Sequence, residues 1–475
     1  MKKYIVFAVT VMIYMTACKK DFGDLNNNPK QYYEVPGSSL FTNAQKSMAD
    51  VITTPNVNSG IFRLLTQQWT ETTYTDESNY DLATRNIPRN FWNSMYRDVL
   101  MDLKTAKELI SADKLLEASK KANQLAIIDI MEVYGYSVLV NTYGDIPYSE
   151  ALDINKVQPK YDDAATIYDD LLNRIDADLA ELNVNTESFG KADLVYGGDV
   201  VKWQKFANSI KLRLGMMLAD VDNAKAKTVV EAAAANIFTS NADNATFKYQ
   251  TAPPNTNPIW VNLVQSGRKD FVAANTLVNA MKTLDDPRVP FYFTTDANDD
   301  YTGGTYGASN NYATFSKPSL TIQAPNFETL FMDYTEVQFL LAEAVERGYN
   351  VPGSAQSHYD AAITASIKYW GGTDNDVATY LAQTDVDYST AAGTFKQKIG
   401  VQKWIALYNR GIEAWTEWRR LDAPVLTAPP NALSAIPVRF RYSDEEQNLN
   451  SANYALASTA IGGDLVTTKL FWDVN

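Results

Sequence analysis

One histidine, one cysteine and 56 acidic side chains limit the chemistry open to this 475-residue chain. His358 stands in Ser357-His358-Tyr359, and a lone histidine without cysteines cannot assemble a zinc site of the usual kind. A serine triad would have to use the same histidine, and no Gly-x-Ser-x-Gly elbow is present. Gly303-Gly304 lacks the Gly-Lys-Ser/Thr continuation of a phosphate-cradling loop. The run Asp296-Ala297-Asn298-Asp299-Asp300 begins as a calcium loop does, with oxygen ligands at alternate positions. Tyr301 then stands where the turn needs glycine, and Gly307 where a bidentate glutamate closes the shell. A helix–loop–helix calcium site is excluded, an irregular one stays open, and no other cofactor is expected. Carboxylate pairs are harder to exclude, because glycoside hydrolysis needs only two acids at a suitable separation. A helical hydrolase therefore stands as the alternative to a binding protein.

Ligand contact calls for aromatic rings beside amides, hydroxyls and arginines. Gln67, Gln68, Trp69, Tyr74, Asn79, Tyr80 and Trp92 have that chemistry, as do Trp260, Arg268, Tyr301, Tyr306 and Tyr312. Most lie in two long stretches without helical period, 53–88 and 238–323 apart from a helix near 273–284. Both stretches are rich in Asn, Thr, Gly, Pro and Tyr. Loops that long in a compact protein are functional or disordered, and this aromatic content argues against disorder. The ligand surface is expected there, with Trp69 and Trp260 as its leading rings.

The elements that must position these loops read as helices. Between Val401 and Leu421, Trp404, Tyr408, Ile412 and Trp415 recur at helical spacing, with Arg410, Glu413, Glu417 and Arg420 opposite. A second amphipathic helix is expected over 199–220, capped by Asp199 and burying Trp203, Phe206, Ala207, Ile210, Leu214 and Met217. A third runs from about Tyr334 to Arg347, stopped by Gly348. Further helices are expected near 90–110, 118–142, 162–182, 224–236, 273–284 and 354–370. Strand character is confined to Phe247-Lys248-Tyr249 and Phe291-Tyr292-Phe293. The composition thus points to a mainly α protein, its helices arriving in pairs without a clean repeat period.

The first residues bear on the compartment. Lys2 and Lys3 precede an uncharged run, Tyr4 to Ala17, shorter than the ~20 apolar residues that span a bilayer. Small Thr16 and Ala17 then precede Cys18, the one cysteine. This describes a cleaved leader over 1–17 and resembles the lipobox of bacterial lipoproteins, with Cys18 as the acylated residue. Residues 18–38, polar and punctuated by Pro29, Pro36 and Gly37, read as a lipidated N-terminus and flexible tether to a single body over 39–475. Acyl chains on Cys18 suffice for anchoring, so membrane contact is expected through the lipid only. The formal net charge of −14 argues against nucleic acid.

Several blocks resemble the SusD/RagB family, in its SusD-like lipoprotein branch. They include Asn141-Thr142-Tyr143-Gly144-Asp145-Ile146-Pro147-Tyr148, Tyr196-Gly197-Gly198-Asp199 leading into Trp203, and Asp286-Pro287-Arg288. They continue with Glu336 to Ala344, Gln402 to Leu407, Glu417-Trp418-Arg419-Arg420 and Ile436-Pro437-Val438-Arg439. The resemblance implies tetratricopeptide-like helix pairs with an irregular loop region carrying the ligand site. It further implies a non-enzymatic binder of glycans or peptides, lipid-anchored in the outer membrane and facing the exterior. Its implied partner is a SusC-type TonB-dependent barrel, to which it delivers nutrients. Sugars expose flat C–H faces between hydroxyls, which suits the ring-and-amide residues above. Trp203, Trp404 and Trp415 are expected in the core. Arg419, Arg420 and Arg439 are expected to form ion pairs rather than to bind an acidic ligand.

Overall fold

The computed structural model describes residues 35–474. Cys18, the leader expected over 1–17 and residues 18–34 of the expected tether lie outside the described residues. The chain enters its first helix at Gly37, two residues earlier than the tether reading allows. In order, the helices are α1 (Gly37–Thr53), the single turn α2 (Phe62–Leu65), α3 (Ile87–Asn93), α4 (Met101–Ala112), α5 (Ala118–Tyr143), α6 (Ala164–Glu181), α7 (Val200–Met217) and α8 (Asn223–Ala233). There follow the short turn α9 (Pro258–Trp260), the helix α10 (Asn275–Thr283) and the turn α11 (Val289–Tyr292), then α12 (Tyr334–Glu346), α13 (Ala355–Trp370) and α14 (Asp374–Leu381). The last are α15 (Phe395–Ala406), α16 (Gly411–Leu421), α17 (Asp444–Leu449) and α18 (Ser451–Ala460). Helices α4 through α8 pack each on the next, as do α12 on α13 and α15 on α16. The architecture is mainly α, built of tetratricopeptide-like pairs.

Local chemistry explains most of these boundaries. Asp199 accepts from the amides of Val201 and Lys202 and so caps α7, whose buried stripe is the expected one. Asp333 caps α12 through Glu336 N, and Ser354 with Ser357 forms a capping box on α13. Helix α5 is long and apolar enough to cross a membrane, but it is a core helix, with 94% of its most apolar window buried. It stops at Gly144, whose φ of +88° a side chain would strain. Gly135 lets α1 approach its middle: a Cβ there would lie 2.9 Å from the Met48 methyl.

Two expectations fail for identifiable reasons. The helix expected over 401–421 is two helices, α15 and α16, joined through a turn in which Asn409 takes a φ of +69°. The apolar period continues across the break because Tyr408 and Ile412 are buried on either side of it. The turn is required by α2: Asn409 Oδ1 accepts from Arg63 Nε at 2.9 Å, and a Cβ on Gly411 would lie 2.8 Å from Arg63 N. Phe291-Tyr292-Phe293 belongs mostly to the helical turn α11, since three rings in succession satisfy either period. Only Phe293 bridges, to Pro318. Helix α1 escapes the sequence reading, although Phe41, Ala44, Met48 and Ile52 form a buried helical stripe in it.

The two long irregular stretches come together. Strand β1 (Trp69–Glu71) pairs antiparallel with β5 (Phe271–Ala273), in the register Trp69 to Ala273 and Glu71 to Phe271. Two other small ladders, β2 (Ile146–Pro147) with β3 (Tyr161–Asp162) and β4 (Ala245–Phe247) with β6 (Thr329–Met332), brace the helices.

Candidate functional site

The β1–β5 ribbon is the floor on which the irregular loops are assembled. Just past β1, Thr72 donates through its amide to Asp270 O at 2.9 Å and through its hydroxyl to Lys269 O at 2.6 Å. The Thr72 carbonyl in turn accepts from Asn310 N at 2.7 Å and Ser309 Oγ at 2.9 Å. Three segments, 72–80, 268–270 and 302–317, are thereby locked edge to edge.

Seven of the expected ligand residues are used up in packing, and the structure corrects their role: buried Gln67 donates to Thr427 O and accepts from Thr276 Oγ1, each at 2.8 Å. Trp69 is 1% exposed, and its indole donates to Tyr408 Oη at 2.9 Å under the Arg63 guanidinium. Gln68 is buried facing the Trp404 and Leu407 carbonyls at the end of α15. Asn79 donates to Thr75 O and Gly307 O, joining two loops. Tyr306 is buried and donates to Leu64 O at 2.7 Å. Tyr80 is buried beside it, with ring centroids 6.5 Å apart. Trp92 packs edge-on against Tyr143 and beside Tyr96 in the helical core. The amides of Gln68 and Asn79 and the hydroxyl of Tyr306, which look available in sequence, here serve buried backbone carbonyls.

The other five remain accessible, and the structure unites three of them. Tyr74 is 65% exposed at the tip of its loop. Arg268 is exposed and paired with Asp270 at 2.5 Å, which raises it above its ordinary value. Tyr312 is half-buried, with the ammoniums of Lys269 and Lys317 at 5.6 and 5.3 Å from its ring centroid. Neither lysine was singled out in the sequence, where an isolated lysine in a polar loop carries no signal. Tyr301 lies apart, half-buried where Lys282 donates to its carbonyl and to Asp300. Trp260, half-buried on α9, adjoins a cleft of about 430 Å³ between Lys46, Asp50 and Val51 of α1 and the 254–262 segment, but does not line it.

Beneath the face lies a carboxylate pair. Glu71 accepts from Ser78 N at 2.8 Å, and burial, with Glu77 as the second cause, pushes its carboxyl up to about 9. Glu77 also accepts from Arg85. Both acids are buried, so the pair holds the 72–80 loop rather than meeting a ligand.

Among the described residues no group of three or more His, Cys, Asp or Glu is arranged to hold a metal ion. In the acidic loop, Asp296 is turned inward on the amides of Asn298 and Asp300, and Lys282 faces Asp300. His358 lies away from the loop face, its ring nitrogens against Gln338 Oε1 at 2.7 Å and Pro352 O at 2.6 Å. Of the three arginines expected to ion-pair, Arg420 binds Glu343 and Glu417, and Arg439 binds Asp464. Arg419 instead donates to Asn141 O and Val438 O, with its guanidinium 3.6 Å from the Trp415 ring centroid.

The model of one family, described as starch-binding proteins associating with the outer membrane, matches residues 29–443. The chain belongs to the SusD-like family. Solved structures share the fold over nearly the whole chain. A chitin-binding protein aligns with a TM-score of 0.81 at 27% identity, over 92% of this chain and 100% of its own. A SusD homolog from Bacteroides uniformis gives 0.79 at 25% identity, over 92% and 99%. A chitin-binding SusD homolog from Flavobacterium johnsoniae gives 0.78 at 25%, again over 92% and 99%. No curated protein matches the sequence. SusD-like proteins are carbohydrate binders rather than enzymes, which sets aside the hydrolase alternative.

Proposed function

We propose that this protein binds a glycan at the cell surface, through the face carrying Tyr74, Arg268 and Tyr312, and delivers it to a SusC-type TonB-dependent barrel. The observation that carries the reading is the exposed Tyr74 ring, on a loop that Thr72 ties to the 268–270 and 309–310 segments, in a chain of a glycan-binding family. A ring of that kind offers a flat apolar platform for a sugar's C–H face, and the neighbouring donors take its hydroxyls. A shallow face with few rings suits a delivery protein, which must release its cargo, so affinity on the order of micromolar to millimolar is expected, about −8 to −4 kcal/mol. Anchoring through acylated Cys18, with the body facing outward, fits the outer-membrane association of the family.

The test is binding to a panel of oligosaccharides and peptides. Tyr74→Ala should weaken glycan binding at least several-fold with an unchanged helical circular dichroism spectrum. Unaltered binding, or binding of peptides alone, overturns the reading. Gentle detergent extraction should co-purify a large barrel, and Cys18→Ala should release the protein from membranes.

A further inference from the structure

Resting on the glycan reading above, we propose that the glycan taken by this face is anionic, carrying carboxylate or sulfate groups that Lys269 and Lys317 receive. The protein as a whole is acidic, with a formal net charge of −14, and would repel such a ligand elsewhere on its surface. The loop face departs from that background. Among the described residues, Tyr312 is the one ring approached by two cations, and neither of them makes an ion pair. Their distances to the same centroid put the two ammoniums within about 11 Å of each other. Two like charges drawn to one ring repel, and cation–π attraction at a surface offsets only part of that repulsion. A bound anion would relieve that repulsion.

Other features agree. Burial pushes the Lys317 ammonium down from its ordinary value, and the acid that opposes this, Asp296, lies beyond ion-pair distance. Asp270 is engaged by Arg268 at 2.5 Å, and Asp76, the exposed acid of the Tyr74 loop, pairs with none of Arg268, Lys269 and Lys317. The backbone that presents Lys269 is itself fixed, since Thr72 donates to its carbonyl. The division of labour is then clear: Tyr312 gathers the lysines, Tyr74 offers the open ring, and the cations select charge. Starch and chitin oligosaccharides, which are neutral, would leave the lysines unused.

The experiment measures binding by the full chain in detergent to four probes: an oligogalacturonate, a sulfated chondroitin oligosaccharide, and starch and chitin oligosaccharides. At least one acidic probe should bind tenfold or more tightly than the neutral ones, weakening several-fold from 50 to 500 mM NaCl as surface charge is screened. The carboxylate and sulfate arms separate the two sources of charge. Lys269→Gln with Lys317→Gln should cost the acidic probe about tenfold while the circular dichroism spectrum is kept. Lys114→Gln, an exposed lysine elsewhere, should cost nothing. Neutral probes binding more tightly, without salt dependence and without response to the double variant, overturn the charge proposal and leave the glycan reading standing. Equal losses from Lys114→Gln also overturn it, by making the attraction non-specific. Binding of none of the probes, nor of any other glycan, takes down the glycan reading itself and this proposal with it.

Discussion

Charge is treated in opposite ways by the helical body and by the loop face. Inside the body, the buried ions of α7, α12, α15 and α16 close into networks, and Arg63 and Arg419 are held by carbonyl oxygens instead. Glu336 of α12 lies between Arg213 of α7 and Arg410, each at 2.6 Å, and Arg410 also holds Asp333 at 2.9 Å. Glu343, two helical turns on, meets Arg420 of α16 at 2.6 Å, which shares Glu417 with Lys403. These networks bind α7, α12, α15 and α16 at fixed register, so the ions stand where the helix pairs must not slip. On the loop face, Lys269 and Lys317 make no ion pair among the described residues. A charge left unmatched at a rigid surface is free for a ligand, whereas a matched buried charge is spent on the fold.

Breaking a buried network should have the largest effect. Glu336→Ala leaves two buried guanidiniums facing each other and should cost about 3–5 kcal/mol, read by urea or thermal unfolding. A loss under about 1 kcal/mol would mean that the buried ions do not organise the body. Trp69→Ala comes next. The ring is buried in the ribbon, so the variant should lose at least about 3 kcal/mol, in place of the binding-only defect its loop position suggests in sequence. An unchanged melting temperature would return Trp69 to the ligand surface.

The two regions should also answer pH with opposite sign. Burial alone would raise Glu336, but Arg213 and Arg410 outweigh it and hold the carboxyl down to about 2, against an ordinary 4.5. Its contribution is present above pH 4.5 and lost as pH falls toward 2. Glu71 is held up near 9, so its contribution is present below pH 4.5 and lost as pH rises toward 9. Hydrogen exchange of the Ser78 amide should therefore quicken between pH 5 and 9 in the native protein beyond the intrinsic base-catalysed increase. Glu71→Gln, which cannot ionise, should remove that excess; an excess persisting in the variant would assign it elsewhere. The smallest effect is expected at Tyr74. Its ring is mostly in water, so Tyr74→Ala should change stability by within about 0.5 kcal/mol, sharpening its contrast with Trp69.

Sequence legibility followed the range of the interactions. Helix α7 could be read to its cap because Asp199 and the stripe from Trp203 to Met217 act within a few residues of one another. The break between α15 and α16 could not, because its cause is the approach of Arg63, some 346 residues away. Composition marks the loops as the expected ligand surface, yet Gln67, Gln68, Trp69, Asn79, Tyr80 and Tyr306 within them are buried as packing. An irregular chain has no period from which to tell the wet side of a residue from the dry one.

What the sequence alone determined was the helical body, its caps and its family membership, since amphipathic period and capping residues are local physics. Tertiary structure decided which rings face water and which cations stand unpaired. Trp69 and Tyr74 are five residues apart and of similar chemistry, and only the pairing of β1 with β5 turns one into the core and leaves the other at the tip. Lys269 and Lys317 meet at Tyr312 because Thr72, Ser309 and Asn310 close three distant segments onto that ribbon. Such a meeting depends on long-range closure, which residue spacing does not encode.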